Sequence, residues 1–227
     1  NKTVYYQSTE NGSINRDVYK ISLDGKNKTR LTQNLGTNSA TFSQNFQYFV
    51  SSFSSASQPT TYTLNDSKSG KQVQVIENNE ALASKLKGYD LSQKEFFVLK
   101  TEKGNELNAW ILKPKNFDST KKYPVLMYQY SGPGSQQVNN EWNSHDDYWF
   151  MMLTQQGYIV ACVDGRGTGY KGADFKKVTY KQLGKYEVED QIDAAKVIGN
   201  YPYVDKSRIG IWGWSYGGFM ASNCLLK

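Results

Sequence analysis

The chain is short of the residues that would make it a metal protein, a disulfide scaffold or a membrane span. It has one histidine, His145, and two cysteines, Cys162 and Cys224. The cysteines have no metal-ligand spacing, so no metal site is expected. A single disulfide stays open on sequence alone, although both cysteines sit in apolar segments and read as buried free thiols. No stretch approaches the ~20 apolar residues of a membrane span. No long run of one charge occurs. The net charge is +6, but the lysines are scattered through turns and form no basic stripe. That charge reads as solvated surface, and no nucleic-acid partner is expected. There is no secretory pattern, and Asn1 is not an initiator methionine, so the expectation is an internal or processed piece of a longer protein. Asn-x-Ser/Thr triplets at Asn1, Asn11, Asn27 and Asn65 fall in polar segments read as turns, and they matter only in a host that glycosylates.

What is present is a chain of 227 residues, 38% hydrophobic and 14% aromatic, enough for one large or two modest domains. Its texture changes near Gly88. Residues 1–87 are rich in Tyr, Thr, Ser, Val and Asn in short alternating runs, which predict strands. Such runs are Val4–Ser8, Asp17–Leu23, Lys28–Thr32, Ala40–Phe42, Tyr48–Phe53, Thr61–Leu64 and Gln72–Ile76. The hairpin beginning at Tyr19 is echoed by the one beginning at Tyr62. That offset lies within the ~40–45 residues of a propeller blade. Two copies also fit a plain antiparallel β-domain, and about two blades cannot close a ring of the ~4–8 blades known for propellers.

Residues 88–227 alternate strands and helices. Glu80–Lys87 reads as a helical connector before them. Glu95–Lys100 and Leu107–Leu112 predict a hairpin around Lys103-Gly104-Asn105. Pro124–Tyr130 and Tyr158–Val163 are continuous apolar runs, as expected of strands covered on both faces. Tyr148–Gln156 and Glu187–Asn200 predict helices, the second with Val188, Ile192, Ala195 and Gly199 along its apolar face. This order implies an α/β fold with a mostly parallel sheet. Ligands in such sheets bind beyond the carboxyl ends of the strands. Tyr130, Asp164 and Ser215 all fall just past such ends.

The stretch with most chemical content is Gly213-Trp214-Ser215-Tyr216-Gly217. An apolar strand-like run, Arg208–Trp212, precedes it, and a helix-like run follows. Strand, Gly-x-Ser-x-Gly and helix together make a nucleophile elbow; the pattern alone would also suit an ordinary glycine-rich turn. The elbow needs these residue types. A serine on so tight a turn has a strained backbone, and glycines at 213 and 217 remove side chains that would clash. The helix start beneath the serine offers unpaired N–H groups to a developing oxyanion.

Four motifs carry a resemblance. They are Tyr128-Gln129-Tyr130-Ser131-Gly132-Pro133-Gly134-Ser135-Gln136, Val163-Asp164-Gly165-Arg166-Gly167-Thr168-Gly169-Tyr170, Tyr186-Glu187-Val188-Glu189-Asp190-Gln191 and Trp212-Gly213-Trp214-Ser215-Tyr216-Gly217-Gly218. In this order they resemble the dipeptidyl peptidase IV branch of the prolyl oligopeptidase family of serine peptidases, in a bacterial wording. The resemblance implies an α/β-hydrolase domain preceded by part of an all-β propeller. Residues 1–87 would be the C-terminal part of the propeller, and 88–227 the N-terminal part of the hydrolase. It implies release of N-terminal Xaa-Pro or Xaa-Ala dipeptides through an acyl-enzyme on Ser215. Tyr216 would give its backbone N–H to the oxyanion and its ring to the substrate pocket. Tyr130 would be the second oxyanion donor. Trp214 is read as packing behind the elbow, with only a weak substrate contact. Asp164 and Arg166 would fix a loop through mutual or backbone hydrogen bonds, and Glu187, Glu189 and Asp190 would serve the start of a helix. The resemblance further implies peptide substrates with a free N-terminus, a homodimer at full length, and a periplasmic or cell-surface location. No metal or organic cofactor is implied.

The sequence departs from the family's pattern in two respects. The base of an α/β-hydrolase follows the nucleophile in the order Ser, Asp or Glu, His. His145 precedes Ser215, so chain order disfavours it as the base. The glutamate pair that dipeptidyl peptidases use to hold the substrate amino terminus is also absent, the family placing it earlier in the propeller. The expectation is that this chain alone hydrolyses nothing efficiently and needs the missing parts to be stable. A prolyl endopeptidase or acylaminoacyl-type peptidase of the same family is an alternative, and so is a non-catalytic propeller-containing binding protein.

Overall fold

The computed structural model describes residues 2–142 and 144–227, without the side chains of Ser144 and His145. The triplet at Asn1 and the His145 imidazole therefore lie outside the described residues. The chain divides into two units, one of residues 1–89 with a short segment around Asn140, the other of the remainder.

The first unit is built from alternating strands. β1 (Thr3–Ser8), β2 (Asp17–Ser22) and β3 (Thr29–Arg30) form an antiparallel sheet in that order. β4 (Thr37–Phe42), β5 (Tyr48–Ser55), β6 (Gln58–Asp66) and β7 (Gln72–Glu77) form a four-stranded meander, and α1 (Glu80–Leu86) follows. Neither sheet closes on itself. Tyr19 and Tyr62 begin equivalent hairpins, β2–β3 and β6–β7. The sequence echo is thus the last hairpin of each of the two sheets. The apolar core is small: Val18, Leu31 and Phe49, with Tyr5, Ala40 and Phe42 packed on it. Much of the remaining interior is polar. Asp17, 1% exposed, accepts hydrogen bonds from Arg30 Nη2 at 2.7 Å and Asn11 Nδ2 at 2.8 Å. Asn140 joins the same unit through its N–H to the Ile14 carbonyl, 2.8 Å, and its Nδ2 to Asn15 Oδ1, 3.2 Å. Asn65 is not in a turn as its triplet suggested. It lies buried in β6, where its Nδ2 donates to Thr63, because the strand runs on through residue 66.

The second unit contains β8 (Glu95–Lys100), β9 (Glu106–Leu112), β10 (Tyr123–Tyr128), α2 (Ser144–Gln155), β11 (Ile159–Asp164), α3 (Ala173–Lys177), α4 (Tyr186–Gly199), β12 (Val204–Trp212) and α5 (Tyr216–Leu225). The strands make one sheet in the order β12-β10-β11-β9-β8. Parallel pairing is confined to β10, β11 and β12, while β8 and β9 run antiparallel as a hairpin. Pro124 sits in a strand paired on both sides, where it cannot donate to the ladder. The register shifts between Tyr123 and Val125, so the irregularity falls where the N–H is missing.

Strand alternation sorts the two faces. Ala109, Ile111, Val125, Met127, Ile159, Ala161 and Val163 pack with Ala194 and Ile198 of α4. On the opposite face, Trp110 and Tyr128 meet Phe150 of α2 at ring distances of 5.7 and 4.8 Å. Every residue of β11 is buried, as its unbroken apolar run requires. The buried face of α4 is turned relative to the one expected. Val188 is buried, but Ile192, Ala195 and Gly199 are only half-buried, and Glu187, Asp190, Gln191, Ala194 and Ile198 go inside. Polar residues can lie there because most of their polar atoms find partners at the ends of the strands. Cys162 is fully buried and Cys224 half-buried, and both are free thiols.

Candidate active site

The elbow is where β12 turns into α5. Ser215 has φ 57° and ψ −115°, a left-handed conformation rare for a residue with a Cβ. Its side chain is exposed. The turn is tight because the chain there presses against the end of β10. A Cβ on residue 213 would lie 2.4 Å from the Gln129 carbonyl oxygen, and one on residue 217 would lie 2.5 Å from the same atom. Both positions therefore exclude every side chain by close approach to backbone. Gln129 itself is fully buried and donates from Nε2 to the Gly217 carbonyl at 2.8 Å. Its own N–H donates to the Trp212 carbonyl at 3.1 Å. The end of β10 thus holds both arms of the elbow.

Tyr130 follows Gln129 past the end of β10. Its neighbours are shaped to its ring: a Cβ on residue 132 would meet Tyr130 Cε1 at 2.4 Å, and Ser131 takes φ 60°. The Tyr130 and Tyr216 rings stand 6.3 Å apart at 45°. The Tyr130 hydroxyl makes no hydrogen bond among the described residues. Tyr216 is the first residue of α5, where backbone N–H groups have no partner within the helix. Its hydroxyl donates to Glu187 Oε1 at 2.8 Å, and its ring lies 5.4 Å from that of Phe219. Burial, and then the Glu187 carboxylate, push ionisation of its phenol upward.

The loop carrying Tyr130 is anchored from behind. Asp164, at the end of β11, accepts the Val138 N–H at 2.8 Å and the Gln137 N–H at 2.9 Å. Burial pushes its carboxyl up to about 6, outweighing the opposite pull of those two N–H groups. The Gly134 N–H donates to the Gly167 carbonyl, and the Gly169 N–H to the Ser135 carbonyl, each at 2.8 Å. The Tyr128 hydroxyl donates to Gln137 Oε1 at 2.8 Å. Arg166 then fixes the second loop to α4. Its Nη2 and Nε reach Asp190 Oδ1 at 2.7 and 3.0 Å, and its N–H reaches Oδ2 at 2.7 Å.

Residues 144–227 match the prolyl oligopeptidase family, and residues 1–60 match the N-terminal region of dipeptidyl peptidase IV. A probable dipeptidyl peptidase 4 of Trichophyton verrucosum is 40% identical over 99% of this chain. The crystal structure of Porphyromonas gingivalis dipeptidyl peptidase 4 superposes with a TM-score of 0.95 at 51% identity, covering 98% of this chain. The chain belongs to the prolyl oligopeptidase family. A putative dipeptidyl aminopeptidase IV from Bacteroides ovatus has a TM-score of 0.86 at 28% identity and covers 99% of this chain. The chain spans 30% of the length of the Trichophyton relative, and 31% and 32% of the two solved chains. Both β-sheets of the first unit accordingly belong to a propeller, and the second unit has the hydrolase fold of the family.

Within this family fold, Ser215, Tyr130 and Tyr216 come from two strand ends and one helix start of the same unit. Trp214 behaves differently from the expectation. Its side chain is 74% exposed, so it does not pack behind the elbow; Gln129 does so instead. Asp164 and Arg166 are not partners of one another. Asp164 holds backbone N–H groups and Arg166 holds Asp190, so the expectation of a fixed loop is met by two separate anchors. The sequence reading left Gln129, Glu187 and Asp190 without site roles. Their signal was available as polar residues inside otherwise apolar patterns: Gln129 ends a buried strand, and Glu187, Asp190 and Gln191 share a helix face with Ala194 and Ile198. Among the described residues no group of three His, Cys, Asp or Glu side chains could hold a metal ion. No described helix is long and apolar enough to cross a membrane.

Proposed function

We propose that this chain forms the elbow half of a serine exopeptidase that removes Xaa-Pro or Xaa-Ala dipeptides from peptide amino termini. The observation that carries the reading is Ser215, exposed at φ 57° on a strand-to-helix turn closed by two glycines that pack on the Gln129 carbonyl. In this reading residues 1–87 are the C-terminal part of the propeller and residues 88–227 the N-terminal part of the hydrolase. Ser215 Oγ attacks the carbonyl of the penultimate residue. The oxyanion takes hydrogen bonds from the Tyr216 N–H and the Tyr130 hydroxyl. The leaving amine departs and water hydrolyses the ester on Ser215. The Tyr216 ring lines the pocket for the proline or alanine side chain, and exposed Trp214 is at most a weak contact. The base that takes the Ser215 proton belongs to the part of the relatives' length that this chain does not cover. A homodimer and a periplasmic or cell-surface location are carried over from the family likeness.

The test uses the protein at the length of its relatives. Gly-Pro and Gly-Ala amides should be cleaved, and the same peptides with blocked amino termini refused. Ser215→Ala should abolish turnover and labelling by a serine-reactive phosphonate. Equal cleavage of blocked and free peptides would favour an endopeptidase. A wild-type protein that takes no label would favour an inert binding module.

A further inference from the structure

Near its start α4 buries the carboxylates of Glu187 and Asp190, and among the described residues only Asp190 of these two has a basic partner. Asp190 is bound by Arg166. Glu187 is fully buried, its Oε2 has no hydrogen-bond partner among the described residues, and its Oε1 accepts the Tyr216 hydroxyl at 2.8 Å. A buried carboxylate with so few partners is costly for the fold, and an apolar residue would pack that helix face at lower cost. What Glu187 provides is a fixed point for the far end of the Tyr216 ring. The near end is fixed by the start of α5. The ring's sides face Tyr130 at 6.3 Å and Phe219 at 5.4 Å. Phe219 is held in turn by the chain at Gly184, where φ is 77° and a Cβ would come within 2.9 Å of the Phe219 ring. Tyr216 is therefore held by its backbone, by two neighbouring rings and by its hydroxyl.

We propose that Glu187 is the positioning residue of Tyr216, setting the pocket wall that discriminates a penultimate proline from an alanine. The proposal rests on the role of Tyr216 given above. A proline ring fills the pocket and uses the fixed wall fully, whereas an alanine methyl uses little of it. Freeing the Tyr216 hydroxyl lets the ring swing, and the loss falls mainly on proline.

The experiment compares Tyr216→Phe, Glu187→Ala, Glu187→Gln and the Glu187→Ala/Tyr216→Phe double variant in the protein at the length of its relatives. kcat and KM are measured on Gly-Pro and Gly-Ala amides. Glu187→Ala and Tyr216→Phe should each lower kcat/KM for Gly-Pro about 10-fold, the scale of one misfitted pocket contact, and for Gly-Ala only about twofold. The double variant should be no worse than the worse single one, because both remove the same hydrogen bond. Glu187→Gln, whose amide oxygen can still accept, should recover most of the loss. An unchanged proline-to-alanine ratio in Tyr216→Phe, measured on protein that circular dichroism shows to be folded, would overturn the proposal. So would losses that add in the double variant. Absorbance titration of the tyrosines gives a readout that needs no turnover. The hydroxyl missing in Tyr216→Phe should ionise at lower pH in Glu187→Ala than in wild type, and no change would overturn the tether. If wild type cleaves neither amide, the function proposed above fails, while the titration still decides whether Glu187 holds Tyr216.

Discussion

In the propeller unit the buried polar side chains lie in the body of the fold. Asp17, Asn38 and Asn15 take the space that a larger apolar core would fill, and they join strands and turns to one another. In the hydrolase unit the body of the sheet is apolar on both faces, and besides the buried Lys94–Asp147 and Ser92–Thr154 pairs one set of buried polar side chains gathers at one end. Gln129, Ser131, Asp164, Glu187, Asp190 and Gln191 are all nearly inaccessible, and all lie at the ends of β10 and β11 or on the first turns of α4. Buried polar groups are tolerated only with partners, so their location shows what each set holds in place. The first set holds the sheets together. The second set holds the backbone around Ser215, Tyr130 and Tyr216. The same kind of side chain therefore serves the fold in one unit and the site in the other, and substitutions should separate the two roles.

The largest effect is expected at the elbow. Gly217→Ala would put a methyl group 2.5 Å from the Gln129 carbonyl oxygen, an overlap with backbone that no rotamer relieves. Turnover should fall by at least about 10³-fold through displacement of Ser215 and of its N–H neighbour, on the scale at which misplaced catalytic groups act. Phosphonate labelling rates would check it. Next is Tyr130→Phe, which removes a hydroxyl with no hydrogen-bond partner among the described residues. It should lower kcat about 10²–10³-fold, as for other lost oxyanion donors, with KM and melting temperature nearly unchanged. A drop in stability instead would move Tyr130 to the fold-holding set.

Asp17→Ala tests the opposite role. It strips the buried acceptor from Arg30, Asn11 and Asn38, and should cost the propeller unit about 3 kcal/mol, the low end for breaking a buried pair because Arg30 is part-exposed. Chemical denaturation followed by tyrosine fluorescence would measure it. A smaller, pH-dependent effect belongs to Asp164. Its carboxyl is raised from 3.8 to about 6 in the folded state, so the folded form binds the proton more tightly than the unfolded form. The contribution of this group is then fully present below about pH 4, is lost as pH rises through about 6, and is level above that. It amounts to at most about 2–3 kcal/mol, since each tenfold gain in proton affinity is worth ~1.4 kcal/mol. Asp164→Asn has no such titration. The stability of wild type relative to this variant should fall between about pH 4 and 6 and stay flat beyond. Melting temperatures of both proteins across that range would show it.

Most of the fold was legible because local pattern and tertiary burial agree. The unbroken run expected at Tyr158–Val163 became the strand Ile159–Asp164, buried on both faces, with Tyr158 exposed before it, and Gly104 closed the β8–β9 hairpin at φ 83°. The elbow was legible for the same reason, its glycines being dictated by backbone contact. What escaped was set by partners distant in sequence. The face of α4 was misjudged because apolar periodicity cannot foresee carboxylates buried against Arg166 and Tyr216. The role given to Trp214 failed because a large aromatic beside a nucleophile looks like packing, while the space behind the elbow is filled by Gln129 from another strand. α3 was missed because five residues, Ala173–Lys177, carry too little periodicity to be distinguished from a loop.

The most direct test of the central claim is where a serine-reactive phosphonate attaches in the protein at the length of its relatives. Peptide mapping by mass spectrometry should place a single adduct on Ser215, lost in Ser215→Ala and formed far more slowly in Tyr130→Phe, while Asp17→Ala slows it no more than its loss of folded protein requires. An adduct on another serine, or labelling that ignores Tyr130 but follows Asp17, would contradict the assignment of the buried polar set in the hydrolase unit to the site.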